Sequence, residues 1–154
     1  MLYRPLAFAT ATLLLLAACR EQATQTAEVP AATATTAPAG PQCYAYSSAK
    51  DTVRLTLNTT QPTVTGQLSY RYFEKDRNEG TIRGAMHGDT LRAEYTFQSE
   101  GVASVREVAF LRRGTSFIEG YGDVVERGGA MVFKQPQNLK FGTTNALIAV
   151  PCPK

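Results

Sequence analysis

From residue 52 onward, apolar and polar side chains alternate with period two, the spacing that places every other side chain of an extended strand on one face. Val53, Leu55 and Leu57 alternate with Thr52, Arg54 and Thr56. Leu68, Tyr70 and Tyr72 alternate with Gln67, Ser69 and Arg71, and Leu91, Ala93, Tyr95 and Phe97 alternate with Arg92, Glu94, Thr96 and Gln98. Further strands are expected over 81–86, 105–112, 116–125 and 130–134, with a first strand near Cys43. No segment carries a sustained helical stripe.

The breaks between these runs have hairpin chemistry. His87-Gly88-Asp89-Thr90, Arg113-Gly114-Thr115 and Arg127-Gly128-Gly129 supply the positive φ that tight turns need. Glycines inside strands, at Gly66, Gly84, Gly120 and Gly122, weaken a sheet unless it bends sharply, as a small coiled barrel must. The first three stand at multiples of eighteen residues, about one hairpin, which hints at repeated hairpins. The expected fold is all-β: a single antiparallel meander of about eight to ten strands, closed as a small up-and-down barrel of lipocalin or calycin-like architecture. A β-sandwich is the alternative; closure removes the edges and accounts for the strand glycines.

The first forty residues follow another logic. Arg4 stands in an acid-free start, followed by an apolar run over 6–18 that includes Leu13, Leu14, Leu15 and Leu16. That is the layout of an export signal, and the run is shorter than the roughly 20 residues a membrane-spanning helix needs. It closes on Leu16-Ala17-Ala18-Cys19, which resembles a lipobox: residues 1–18 are expected to be removed and the Cys19 thiol to accept diacylglycerol. Acyl chains contribute about 0.8 kcal/mol per buried methylene, so a diacylated and N-acylated Cys19 is a permanent membrane anchor. Arg20 stands where an inner-membrane retention signal would place Asp, which favours the outer membrane. Residues 19–41 then form an Ala, Thr, Pro and Gln tether too poor in large apolar groups to offset its ordering entropy.

With Cys19 assigned to lipid, Cys43 and Cys152 remain at the two ends of a domain over 42–154. The envelope permits oxidation, and a bond between them closes a loop of about 110 residues, worth roughly 4 to 5 kcal/mol on the chain-entropy view. A metal or redox role has little support, since there is no CxxC spacing and only one histidine, His87. The length allows one core. The net charge of +3 is spread rather than gathered into a stripe, so no nucleic-acid footprint is expected.

Catalytic groups are sparse. His87 falls in a hairpin turn, which disfavours serine-histidine-acid chemistry, and no phosphate loop, dinucleotide fingerprint or metal cluster is present, so no cofactor is expected. Glu94, Glu107 and Glu119 are the nominal acids for a two-carboxylate glycan-cleaving enzyme, although each is expected to face water. The strands look more suited to binding. If alternation brings Tyr70, Tyr72, Tyr95 and Phe97 to one face they line a pocket, to which Arg106 or Glu107, whichever points inward, adds a polar contact. The competing expectation is that these rings simply fill a small barrel.

The stretches Cys43-Tyr44-Ala45-Tyr46, Tyr72-Phe73-Glu74-Lys75, Gly88-Asp89-Thr90-Leu91, Arg106-Glu107-Val108-Ala109-Phe110 and Glu119-Gly120-Tyr121-Gly122 resemble small lipoproteins of Bacteroidetes with a C-terminal all-β domain. The resemblance implies no particular activity. It does imply O-glycosylation at Asp followed by Thr and an apolar residue, which Asp51-Thr52-Val53 and Asp89-Thr90-Leu91 match, making Thr52 and Thr90 the acceptors. Asp-Thr also favours the turns in which these triplets sit. Two functional expectations follow. One is a membrane-tethered, non-enzymatic β-domain that binds a small ligand or another envelope protein; the other is a carboxylate-dependent enzyme acting on envelope glycans.

Overall fold

The computed structural model describes residues 40–75 and 77–153. The expected signal peptide, Cys19 and all but the last two residues of the expected tether lie outside the described residues. Eleven strands form: β1 Gln42–Ser47, β2 Thr52–Thr59, β3 Val64–Arg71, β4 Asn78–His87, β5 Thr90–Ser99, β6 Val102–Arg113, β7 Ser116–Tyr121, β8 Val124–Arg127, β9 Ala130–Phe133, β10 Lys140–Phe141 and β11 Leu147–Val150. A 3-10 turn, Pro136–Asn138, is the helical element among them.

Strands β1 to β7 pair with their sequence neighbours, all antiparallel. The chain then makes an excursion through β8, β9 and β10 and returns as β11, which lies between β7 and β1 and closes an eight-stranded antiparallel barrel. The small up-and-down barrel is therefore the fold, rather than the sandwich. Alternation decides what lies inside: Val53, Leu55 and Leu57 of β2, Val64, Leu68 and Tyr70 of β3, and Leu91, Ala93 and Tyr95 of β5 are all buried.

Two stretches depart from the sequence expectation. Residues 116–125 are not one strand: β7 ends at Tyr121 and β8 begins at Val124. The joint is tight, since a Cβ on Gly122 would meet Leu139 Cδ2 at 2.8 Å. Tyr72, expected in a strand, lies just past the end of β3. The strand glycines also divide. At Gly66 and Gly84 a Cβ would come within 2.0 Å of the carbonyl oxygens of Thr56 and Arg92, so the coiled backbone itself requires glycine there. Gly120 serves a different purpose, because the Phe141 ring covers it on the outside of the barrel at 2.5 Å from where a Cβ would be. The eighteen-residue spacing therefore does not mark three equivalent positions.

The barrel has unlike ends. At the lower end, where β1 begins and the turns at Gly88 and Gly114 lie, the interior is a solid apolar core of Leu55, Leu57, Leu91, Phe110, Phe117 and Leu147, with Tyr44 packed edge-on against Phe117. The Cys43–Cys152 disulfide is formed there, with a Cα–Cα distance of 5.2 Å. It ties the start of β1 to the tail that follows β11. The upper end, where β3 finishes and β6 begins, is built from a different set of side chains.

Candidate ligand-binding site

The site arises from a mismatch of strand length. β6 runs for twelve residues and β7 for six, and their ladder extends only from Arg113↔Ser116 to Ala109↔Gly120. Above that point β6 and β7 part. The freed edge of β6 takes a single parallel partner, Met131 of β9 opposite Arg106, and the β8–β9 hairpin stands beside the gap. Glu107 fixes this arrangement from outside: it forms an ion pair with Arg92 and accepts the backbone N–H of Phe133 at 3.0 Å. Between the parted strands lies a cleft of about 440 Å³, lined by Phe97, Arg106, Glu119, Tyr121, Met131 and Phe133 among others.

Register settles which side of β6 looks inward. Arg106 is opposite Tyr95, which is wholly buried, so Arg106 and not Glu107 points into the barrel. Its guanidinium carbon lies 5.0 Å from the Tyr70 ring centroid and 5.5 Å from those of Tyr95 and Phe97. Tyr95 and Phe97 stack with centroids 4.7 Å apart, and Tyr70 meets Tyr95 edge-on at 5.9 Å. Three ring faces thus hold one cation, each contributing about 0.5 to 1 kcal/mol, more where water is excluded. Among the described residues Arg106 has no ion-pair partner, and its Nε and the Tyr95 hydroxyl are both buried without a hydrogen bond.

Glu119 corrects the expectation that it faces water. It is opposite Phe110, a core residue, and shares its face of β7 with Phe117, so it points inside. Tyr70 donates its hydroxyl to Glu119 Oε1 at 2.6 Å and Tyr121 donates to Oε2 at 3.1 Å. Burial pushes the Glu119 carboxyl above the usual carboxylate value, against the lowering effects of the Tyr70 hydrogen bond, the Arg106 charge and the Tyr121 hydrogen bond. Burial likewise pushes Tyr95 up to about 12, with Arg106 opposing, and Tyr70 well above its ordinary value. Glu119 and Tyr121 also wall off a smaller cavity of about 80 Å³ that Tyr46, Tyr72 and Asn145 line from the other side.

The five expected pocket residues therefore converge, with unequal parts. Arg106 and Phe97 line the cleft; Tyr70 and Tyr95 lie behind, pressed on the guanidinium; Tyr72 lines the smaller cavity instead, its ring 5.8 Å from Tyr70. Sequence reading missed Tyr121, the last residue of β7, and Val124, Met131 and Phe133, which come from the excursion after it. Two of the nominal acids, Glu107 and Glu119, reach the cleft, but Glu107 is paired with Arg92, and Glu94 is exposed on the outer face. His87 is exposed at the β4–β5 turn, and no group of three His, Cys, Asp or Glu side chains among the described residues could hold a metal ion. Thr52 and Thr90, the O-glycosylation candidates, are half-buried at the starts of β2 and β5. A larger groove of about 540 Å³ runs outside the barrel near Lys134 and Lys140, but every residue lining it is exposed, and no buried polar group faces it. Comparison with family models, curated proteins and solved structures returned no match.

Proposed function

We propose that the protein is a cell-envelope lipoprotein, anchored through Cys19 in the outer membrane, whose barrel binds a small ligand in the cleft between β6 and β7. The anchor rests on the lipobox and the apolar run before it. Binding rests above all on Arg106. A barrel filled only for stability gains little from turning an arginine inward with no acid within ion-pair distance among the described residues. Glu119, which Arg106 reaches only through space, is already held by Tyr70 and Tyr121, and the buried guanidinium Nε is left without a hydrogen bond. A site that must hold a polar group in an apolar cleft gains a great deal from it, and the combination of an apolar lining with a few convergent polar atoms is typical of ligand pockets.

The test is native mass spectrometry of the full-length chain purified from its own envelope, first under gentle and then under denaturing conditions. A mass excess that disappears on denaturation is expected. The polypeptide plus its lipid alone, under both conditions and with added metabolite extract, would remove the binding reading. The anchor is checked separately: Cys19→Ala should move the chain from the membrane fraction to the soluble fraction.

A further inference from the structure

We infer that the cleft takes a small amphiphilic carboxylic acid, head inward, with its carboxylate on Arg106 and its apolar body against the lip formed by Tyr121, Val124 and Met131. This rests on the proposed binding function and adds the chemical class of the ligand and its orientation. The argument is one of polarity. The charge lies deep, on the ring faces of Tyr70, Tyr95 and Phe97, whereas the opening exposes large apolar side chains. Tyr121, Val124 and Met131 are 58%, 41% and 41% exposed, and all three line the cleft. A ligand complementary to that gradient carries its charge at the leading end and hydrocarbon behind it.

The sign and number of the charge follow from the lining. Arg106 is the only basic residue that lines the cleft, and of the two acids there Glu107 is already neutralised by Arg92. Both Glu119 oxygens already accept a tyrosine hydroxyl, whereas the guanidinium Nε has no hydrogen-bond partner among the described residues, so the donors left for a ligand are those of Arg106, a planar set suited to a carboxylate. One guanidinium offers one bidentate seat, which a monoanionic carboxylate fills. A phosphate monoester would bring a second charge close to Glu119 with no further cation to meet it. A carboxylate brings a single charge that the guanidinium can meet with two parallel N–H donors.

The test is calorimetric titration of octanoate, octanol and octyl phosphate into the full-length chain, repeated on Arg106→Met and on Val124→Asp. Octanoate is expected to bind about tenfold or more tightly than either analogue, and Arg106→Met to weaken it by about tenfold or more, the loss of one charge-assisted hydrogen-bonded pair. Val124→Asp sits at the exposed lip, spares the core, and is expected to weaken octanoate while leaving the fold intact. Octanol binding as well as octanoate, octyl phosphate binding better, or octanoate indifferent to both substitutions would overturn the acid assignment and leave the binding function standing. No binding by any of the three, with no ligand seen in the native mass, would overturn both.

Discussion

Tyr95 and Arg106 face each other directly across the β5–β6 ladder, and the guanidinium carbon of one lies 5.5 Å from the ring centroid of the other. Each also leaves a buried polar atom without a hydrogen bond. The pair is thus poorly satisfied as a piece of core and well arranged as a platform. Arg106→Met keeps the stem that packs on the rings and removes the charge, so it should raise stability against urea by on the order of 1 kcal/mol while weakening ligand binding about tenfold or more. A loss of stability instead would mean that the guanidinium holds the barrel together.

The raised pKa of Glu119 has a definite sign in the pH dependence of folding. The folded state retains a proton that the unfolded chain releases near the ordinary value of 4.5, so stability falls as pH rises from there through the folded pKa, above which the whole penalty is present. Glu119→Gln removes the titration. Going from about pH 8 down to about pH 4.5, the wild type should therefore gain stability relative to the variant. Parallel profiles for the two proteins, measured by chemical denaturation, would contradict the buried position of this carboxyl.

A second pH effect lies on the alkaline side. Tyr95 is held at about 12 and Tyr70 well above the ordinary value of 10.0, so both stay neutral in the fold where the unfolded chain ionises them. Their contribution is intact below pH 10 and is lost as pH climbs toward 12, by up to about 1.4 kcal/mol per pH unit for each proton involved. Tyr95→Phe should shrink that loss, measured as the change in urea midpoint across the alkaline range.

Gly84 and Gly142 offer a matched comparison. A Cβ on Gly84 would come within 2.0 Å of the Arg92 carbonyl oxygen and 2.5 Å of the Ala93 Cα, backbone atoms that cannot step aside. Gly142 has no heavy atom nearer than 3.9 Å. Gly84→Ala should cost about 3 kcal/mol or more, and Gly142→Ala should stay within about 0.5 kcal/mol of wild type. Equal effects would show that the β4–β5 ladder is looser than its register implies.

The Cys43–Cys152 bond closes a loop whose ends are 109 residues apart. Replacing both cysteines by alanine should cost about 4 to 5 kcal/mol if the bond acts by restricting the unfolded chain. Because it sits at the lower end, the same double variant should leave the affinity of the cleft unchanged once folded. A loss of binding in the folded double variant would show that the two ends of the barrel are coupled.

Much of the barrel was legible because its strands are long and one-sided. β5 alternates over ten residues, and the buried set Leu91, Ala93 and Tyr95 is what a period of two selects. The hairpin glycines Gly88, Gly114 and Gly128 all adopt positive φ, as their turns require. The excursion was legible only in part: the strand expected over 130–134 and its Gly128 turn appear as β9 and its hairpin, but the break after Tyr121, β10 and the return as β11 were not foreseen. β8 and β11 have four residues each, too few for a period to register, and β10 has two. On β7 the outer face is itself covered, so Phe117 and Ile118 are both buried and the alternation that would have turned Glu119 inward is masked. The β6–β9 contact rests on the single pair Arg106↔Met131, a tertiary event with no local signature. What the sequence hid was therefore the half of the cleft that depends on where a chain goes after it leaves the sheet.

The disulfide also determines how the molecule meets tension. A pull on residue 42 runs along β1, and at Cys43 it divides, because the sulfur bridge carries part of it to Cys152 and so to β11. The two strands are adjacent and antiparallel, and both are drawn toward the same end of the barrel. Little sliding is forced between them. The strain falls instead on their outer neighbours, in shear: on the six residue pairs of the β1–β2 ladder to one side and on the β11–β7 pairing to the other. Hydrogen bonds sheared together give way at far higher force than bonds peeled in succession. If the domain is anchored as proposed, a pull from its N-terminal side would thus keep the first strand seated, while the cleft, at the opposite end, is spared the distortion.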